Sequence, residues 1–144
     1  MNLLDVNVLV ALADPLHTHR DEAKTWFRNS ARDGWATCPL TENAFVRILG
    51  HPAYPNGPQN PIGALQILRH LTSLPGHQFW EDTLSLTDKE RFHLKRGTTS
   101  KQLTDLYLLG LAVSREAKLV TLDQRIEAGS VVNGHTALFA LNAR

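Results

Sequence analysis

Short apolar segments of strand length alternate along this chain with longer segments of helical periodicity. Five segments have the length and composition of strands, the last of them as an edge strand: residues 2–6, 35–38, 78–81, 118–123 and 136–141. Because strands separated by helices along a chain form parallel sheets, the alternation predicts an α/β fold. We expect a mostly parallel sheet of four or five strands with helices on both faces.

Helical periodicity marks five further segments, which lie between the predicted strands: residues 17–32, 41–49, 62–74, 87–93 and 103–117. Gly50 is the predicted stop of the second helix. The last helix is apolar nearly all round, so it is expected in the centre of the fold. Four prolines predict an extended loop over residues 52–61, and residues 97–101 have the composition of a polar loop.

The length of 144 residues suits one domain, and no repeat or linker divides it, so residues 1–144 are predicted to form a single unit. One cysteine, Cys38, excludes a disulfide framework and a cluster of thiolates within one chain. The N-terminus lacks a basic region, and the apolar segment 6–13 is too short to span a bilayer. These features predict a protein of the reducing cytoplasm with no membrane segment.

Four carboxylates are predicted at the edge of the sheet where the parallel strands end, which is where open α/β sheets bind ligands. Asp5 ends the first strand and Asp123 ends the fourth. Glu42 lies just after the second strand, and Asp105 lies near the start of the central helix. Four separate parts of the chain thus bring carboxylates to one edge.

Such a cluster is unfavourable unless it has a purpose, because two carboxylates about 4 Å apart repel by roughly 4 kcal/mol at an effective dielectric of 20. A group of four takes up protons or binds a cation. Oxygen ligands without thiols suit a hard divalent ion, Mg²⁺ or Mn²⁺, better than zinc. A phosphodiester is the natural substrate of such a site, since the ion neutralises the phosphate and lowers the pKa of an attacking water.

Polar neighbours of the carboxylates are candidates for positioning a substrate or a water. Asn7 follows Asp5 by two residues, Thr121 precedes Asp123 by two, and Thr104 precedes Asp105. The stretch 91–101 is basic and free of acids, and it comes just before the helix that carries Asp105. We therefore expect its residues Arg96 and Lys101 to contact the phosphate backbone of the substrate, with a solvated surface as the alternative.

Four segments resemble the motifs of PIN domains, in the same order along the chain. They are LLDVNVLVAL at residues 3–12, LTENAFVR at 40–47, LTDLYL at 103–108 and LVTLD at 119–123. Length and motif order resemble the VapC-type toxins of bacterial toxin–antitoxin systems. Residues 52–61 and 91–101 depart from the family pattern, and the resemblance specifies neither the RNA target nor the antitoxin.

The resemblance implies a metal-dependent endoribonuclease with one or two Mg²⁺ or Mn²⁺ ions held by the acids at Asp5, Glu42, Asp105 and Asp123. In this interpretation the three aspartates position the metal, and Glu42 helps to bind it or activates the water. The resemblance also implies a homodimer and a cognate antitoxin whose tail occupies the acidic pocket.

Simpler structural roles remain open for each of these carboxylates. Asp5 and Asp123 could be ordinary turn residues, and Glu42 and Asp105 could stabilise the helix N-termini on which they lie. Thr99 and Gln102 form a potential capping box before Asp105. His17 and His19 look like a metal pair, but a spacing of two does not suit one helical face, so surface histidines are expected.

Two other functions remain as alternatives. One is a phosphatase on a similar sheet, although an aspartyl-nucleophile enzyme would have a second acid at position 7, where this chain has Asn7. The other is an RNA- or protein-binding module without catalysis.

Overall fold

The computed structural model describes residues 1–141, in which five strands alternate with six helices. In chain order these elements are β1 (Asn2–Leu4), α1 (Val6–Ala13), α2 (Arg20–Ser30), β2 (Trp35–Thr37), α3 (Pro39–Leu49), α4 (Pro61–Thr72), β3 (His77–Phe79), α5 (Leu103–Ser114), β4 (Lys118–Thr121), α6 (Gly134–Ala137) and β5 (Leu138–Ala140).

The five strands form one parallel sheet in the order β3-β2-β1-β4-β5. The central strand β1 aligns Leu3 with Ala36 of β2 on one side and with Leu119 of β4 on the other. The predicted α/β class, with a mostly parallel sheet and helices on both faces, is confirmed. The last strand is at an edge, as predicted.

Side chains alternate along the strands between two hydrophobic cores, one on each face of the sheet. Leu4, Trp35 and Val120 pack with the helices α1 to α4. Leu3 and Leu119, one position earlier on their strands, pack on the opposite face with α5 and α6. Each face of the sheet therefore has its own layer of helices.

Helix α5 is buried along most of its length, which confirms its expected central place. Gly110 lies against Phe92, since a Cβ atom at Gly110 would come within 2.5 Å of the Phe92 ring. Phe92 is accordingly a core residue. The helix ends at Ser114, three residues earlier than predicted, because the chain then turns into β4.

The apolar segment after β1 is a helix, and it begins directly at the strand end. Asp5 is the N-cap of α1, and its carboxylate accepts a hydrogen bond from Val6 N at 2.7 Å. Such a short apolar run fits a buried strand or a buried helix equally well by periodicity alone, so its type could not be predicted. Strand β1 stops at Leu4 as a result.

Two predicted helix starts are displaced. The helix expected from residue 17 begins at Arg20, because residues 14–19 form a turn after the C-cap of α1 at Asp14. The helix expected from Thr41 begins at Pro39, which takes the favourable first helical position. Gly50 is the C-cap of α3, as predicted.

The prediction of a helix over residues 87–93 is wrong. This segment forms turns, and Phe92 makes an antiparallel bridge with Val131. His93 N donates to Ser130 O at 2.8 Å, and Val132 N donates to Arg91 O at 3.0 Å. Backbone pairing with a segment far along the chain replaces the local helical bonds.

In residues 1–141, no helix is both long and apolar enough to cross a membrane.

Candidate active site

Asp5, Asp105 and Asp123 approach one another at the carboxyl edge of the sheet. Asp5 follows β1, and Asp123 lies two residues beyond the end of β4. The strands β1 and β4 are adjacent in the sheet. Asp105 is in the first turn of α5, which packs against both strands. The order of the strands therefore places residues 118 positions apart in sequence within one site.

Asp5 is only 2% exposed, and both of its carboxylate oxygens accept hydrogen bonds. Oδ1 accepts from Val6 N at 2.7 Å, and Oδ2 accepts from the Thr121 hydroxyl at 2.7 Å. Its position at the N-terminus of α1 also favours a negative charge there. This carboxylate is consequently held in one orientation between a helix and the neighbouring strand.

Thr121 and Asn7 fix the end of β4 to the start of α1. The Thr121 hydroxyl accepts from Asp123 N at 3.0 Å and from Asn7 Nδ2 at 3.2 Å, besides donating to Asp5. Asn7 Oδ1 accepts from Leu122 N at 3.1 Å. The polar groups of both residues are thus engaged within the protein: Thr121 bonds directly to the Asp5 carboxylate, and Asn7 acts through Thr121 and the backbone before Asp123.

Asp123 lies in a turn with Arg125. Its Oδ1 accepts from Arg125 N at 2.8 Å, and the Arg125 Nε atom is 3.7 Å from the same oxygen. The Arg125 side chain is 92% exposed, so this ion pair contributes little to stability. Sequence reasoning missed Arg125, although its spacing of two from Asp123 is typical of a turn closed by an aspartate.

The three aspartates repel one another. Burial raises the pKa of Asp105 to about 7, with the charges of Asp5 and Asp123 adding to the effect. Burial also raises the pKa of Asp5, with a smaller contribution from Asp123, against the lowering effect of its hydrogen bonds. The carboxylates therefore form one electrostatically coupled group.

A cavity of about 270 Å³, which we call the acidic cavity, exposes Asp105 and Asp123 to solvent. Lys101 also lines it, as the basic stretch predicted, and belongs to a short turn held by the Thr99–Gln102 capping box. Glu127, another lining residue, forms a 2.8 Å ion pair with Lys95.

The other two predicted positioning residues lie elsewhere. Arg96 is exposed in a turn closed by a hydrogen bond from Thr98 N to Lys95 O, outside the lining of the acidic cavity. Thr104 lines a separate, mainly apolar cavity with Tyr107 and Leu40. Adjacent helical residues point in different directions, so Thr104 and Asp105 do not share a site.

Glu42 is hydrogen-bonded to the end of β2. Its Oε2 accepts from the Thr37 hydroxyl at 2.7 Å, and Thr37 Oγ1 is 2.8 Å from His77 Nε2. Thr37 lies on the same face of the sheet as Trp35, the face that packs with α1 to α4. Thr121 lies on the opposite face, together with Leu119.

The donor atoms of the acidic cavity suit a hard cation. The carboxylates of Asp105 and Asp123 line it, and a cation would offset both the burial of a charged Asp105, which is the main cause of its raised pKa, and its repulsion by Asp5 and Asp123. Among residues 1–141, no group of three His, Cys, Asp or Glu side chains is close enough together to hold a metal ion directly. Mg²⁺ keeps several waters when bound to few carboxylates, so this spacing is compatible with coordination through water.

Comparison with known proteins gives consistent results. The family model of the PIN domain matches residues 3–130. Ribonuclease VapC44 of Mycobacterium tuberculosis is 40% identical over 129 residues, covering 90% of each chain. Ribonuclease VapC38 of the same organism is 42% identical over 123 residues, covering 85% of each.

A solved structure shows the same fold. It is VapBC2 from Rickettsia felis bound to a DNA fragment from its promoter, with a TM-score of 0.58 and 13% identity, covering 98% of each chain.

Proposed function

The chain belongs to the PIN domain family, and we propose that its acidic cavity is the active site of a metal-dependent endoribonuclease. It is a VapC-type ribonuclease and toxin, since it shares 38–42% identity with the VapC44, VapC39 and VapC38 ribonucleases over at least 84% of its length. The electrostatic coupling of Asp5, Asp105 and Asp123 is the observation that supports this site most directly.

Asp5, Asp105 and Asp123 would hold a divalent ion, for which we propose Mg²⁺ or Mn²⁺. When bound, the ion would offset the phosphate charge and lower the pKa of a nearby water. Thr121 and Asn7 keep the two sheet-edge aspartates in register through the hydrogen bonds described above. They are positioning residues, and the substrate is cut by addition of water across one phosphodiester bond.

Lys101 would contact the RNA backbone, because its ammonium group borders the cavity that contains Asp105 and Asp123. Arg96 would reach the strand only at a distance from the cut. Glu42 has a supporting role in this proposal: through Thr37 it fixes the end of β2, the strand next to β1. The sequence-based expectation is different: there, Glu42 helps to bind the metal or activates the water.

A cognate antitoxin is the expected protein partner, since the structural relative is a VapBC complex. We propose that the antitoxin tail enters the acidic cavity and that two copies of this chain pair as a homodimer. We also propose that the protein acts in the cytoplasm, where RNA substrates are found, and that residues 1–144 act as one catalytic unit.

Cleavage of labelled single-stranded RNA, with Mg²⁺ and with a chelator, tests this function. We expect cutting only with the metal ion, and loss of cutting in Asp5→Asn. Asp21→Asn, an exposed aspartate on α2, is the control and should cut like the wild type. RNA binding without cutting would favour a binding module, and phosphate release from a monoester would favour a phosphatase.

A further inference from the structure

A second cavity adjoins the acidic cavity, and the two share Asp123 and Arg125. The second cavity has a volume of about 440 Å³ and is also lined by Asn7, His17 and His19, so we call it the histidine cavity. The two cavities lie on either side of the turn that contains Asp123. A chain bound across that turn would touch both.

The histidine cavity is built by an ordered turn. His19 N donates to His17 Nδ1 at 3.0 Å, and His17 N donates to Asp14 O at 3.1 Å. Because Nδ1 of His17 accepts this bond, the proton of the neutral ring is on Nε2, which makes Nε2 a donor. The rings of His17 and His19 are 6.0 Å apart between centroids and tilted by 49°.

A tether to another part of the fold holds this turn. Asp14 is buried, and its carboxylate accepts from Tyr54 Oη at 2.5 Å and from Leu16 N at 2.9 Å. Tyr54 belongs to the proline loop between α3 and α4. The position of the imidazoles is therefore fixed by packing and hydrogen bonding, as expected of a binding site.

We propose that the histidine cavity binds the nucleotide next to the phosphodiester bond that is cut, an inference that rests on the proposed ribonuclease function. Imidazole rings are among the side chains on which unpaired RNA bases stack, and a ring N–H donates to a base edge or phosphate. A cavity of this size is large enough for one nucleotide.

Two cations line the two cavities beside the carboxylates of Asp105, Asp123 and Glu127, and they can contact the phosphates of a strand. Lys101 borders the acidic cavity, and Arg125 stands between the two with its side chain 92% exposed. Since the ion pair of Arg125 with Asp123 is long and solvated, its guanidinium can turn to a phosphate at small cost. The strand would pass from Lys101, over Arg125, to the histidines.

The test compares His17→Asn with His51→Asn. An asparagine side chain accepts a hydrogen bond from the backbone N–H two residues on, so His17→Asn keeps the turn but removes the ring. His51 is exposed and makes the same kind of bond, from Ala53 N to its Nδ1 at 2.9 Å, outside both cavities. The two variants thus make the same substitution in the same kind of turn, and only the His17 variant changes a residue of the histidine cavity.

Binding of a labelled single-stranded RNA to the full chain is measured by fluorescence anisotropy in a chelator, and cleavage kinetics are measured with Mg²⁺. We expect His17→Asn to raise the Kd and the KM about tenfold and to leave kcat unchanged, because one nucleotide contact is lost. His51→Asn should match the wild type in all three.

RNA binding by His17→Asn equal to that of the wild type would overturn the proposal, and so would weaker antitoxin binding with unchanged RNA binding. A fall in kcat alone would also overturn it, since that would place His17 in the chemistry. If the wild type cuts no RNA but His17→Asn still binds RNA more weakly, the ribonuclease function fails and the nucleotide site stands.

Discussion

The phenol of Tyr54 donates a 2.5 Å hydrogen bond to the buried carboxylate of Asp14, forty positions earlier in the sequence. Burial and this bond raise the pKa of Tyr54 to about 12. For Asp14, burial acts to raise the pKa, but the hydrogen bonds that its carboxylate accepts lower the pKa overall. The proline loop is thereby tied to the end of α1.

Tyr54→Phe should lower the free energy of unfolding by about 1–3 kcal/mol, because Asp14 would lose a partner while remaining buried. Urea denaturation measures the loss. Tyr107→Phe is the comparison, since that hydroxyl only accepts a 3.3 Å bond from Leu84 N and should cost less. Equal losses in the two variants would contradict the importance of the tether.

Without a metal ion, protonation of Asp105 should stabilise the fold more at pH 5 than at pH 8, against the opposite effect of His77, whose pKa is lowered by burial. The pKa of Asp105 is about 7 in the folded chain, compared with an ordinary value of 3.8. The folded state therefore binds more protons between these values, and stability is full below about pH 3.8 and lost as the pH rises through about 7. Thermal melts at both pH values measure this difference.

Asp105→Asn should reduce that difference, because the titrating group is removed. The raised pKa of Asp5 acts in the same direction, so some dependence should remain. An unchanged difference in melting temperature between the two pH values would show that Asp105 is not the group responsible.

Glu42→Gln should reduce RNA cleavage less than Asp105→Asn. Glu42 accepts its hydrogen bond from Thr37, so in our proposal it supports the site from outside the metal-binding group, and we expect a loss of about tenfold, typical of such a position. Asp105→Asn should lose more than about a hundredfold, since it would remove a proposed metal ligand. Cleavage rates with saturating Mg²⁺ measure both, and equal losses would place Glu42 in direct contact with the metal or the water.

Thr121→Val should reduce cleavage while keeping the fold, because valine has a similar shape but lacks the hydroxyl that holds Asp5 and accepts from Asp123 N. Thr121→Ser should retain most activity. The apparent affinity for Mg²⁺, measured by titration, should fall about 10- to 100-fold in Thr121→Val alone. The same affinity in both variants would show that the hydroxyl does not position the carboxylates.

The fold class and the aspartate group could be predicted from the sequence for the same reason. Alternating strands and helices imply a parallel sheet, and the ends of parallel strands meet at one edge. Asp5 and Asp123 follow adjacent strands, so their proximity depends only on strand order.

Features that depend on contacts distant in sequence could not be predicted. Phe92 belongs to a segment of helical periodicity, yet it bridges to Val131. Glu42 stands at the expected strand end, but the face of Thr37 and the nearby ring of His77 determine where its carboxylate lies. The turn after α1 likewise determines that His17 lines the same cavity as Asp123.

The hydrogen bond between Tyr54 and Asp14 also has a consequence for how such proteins diverge. An insertion or deletion in the proline loop would shift the imidazoles without touching Asp5, Asp105 or Asp123. A change in a surface loop remote from the chemistry would thus alter which RNA is bound, while the cutting machinery itself is preserved.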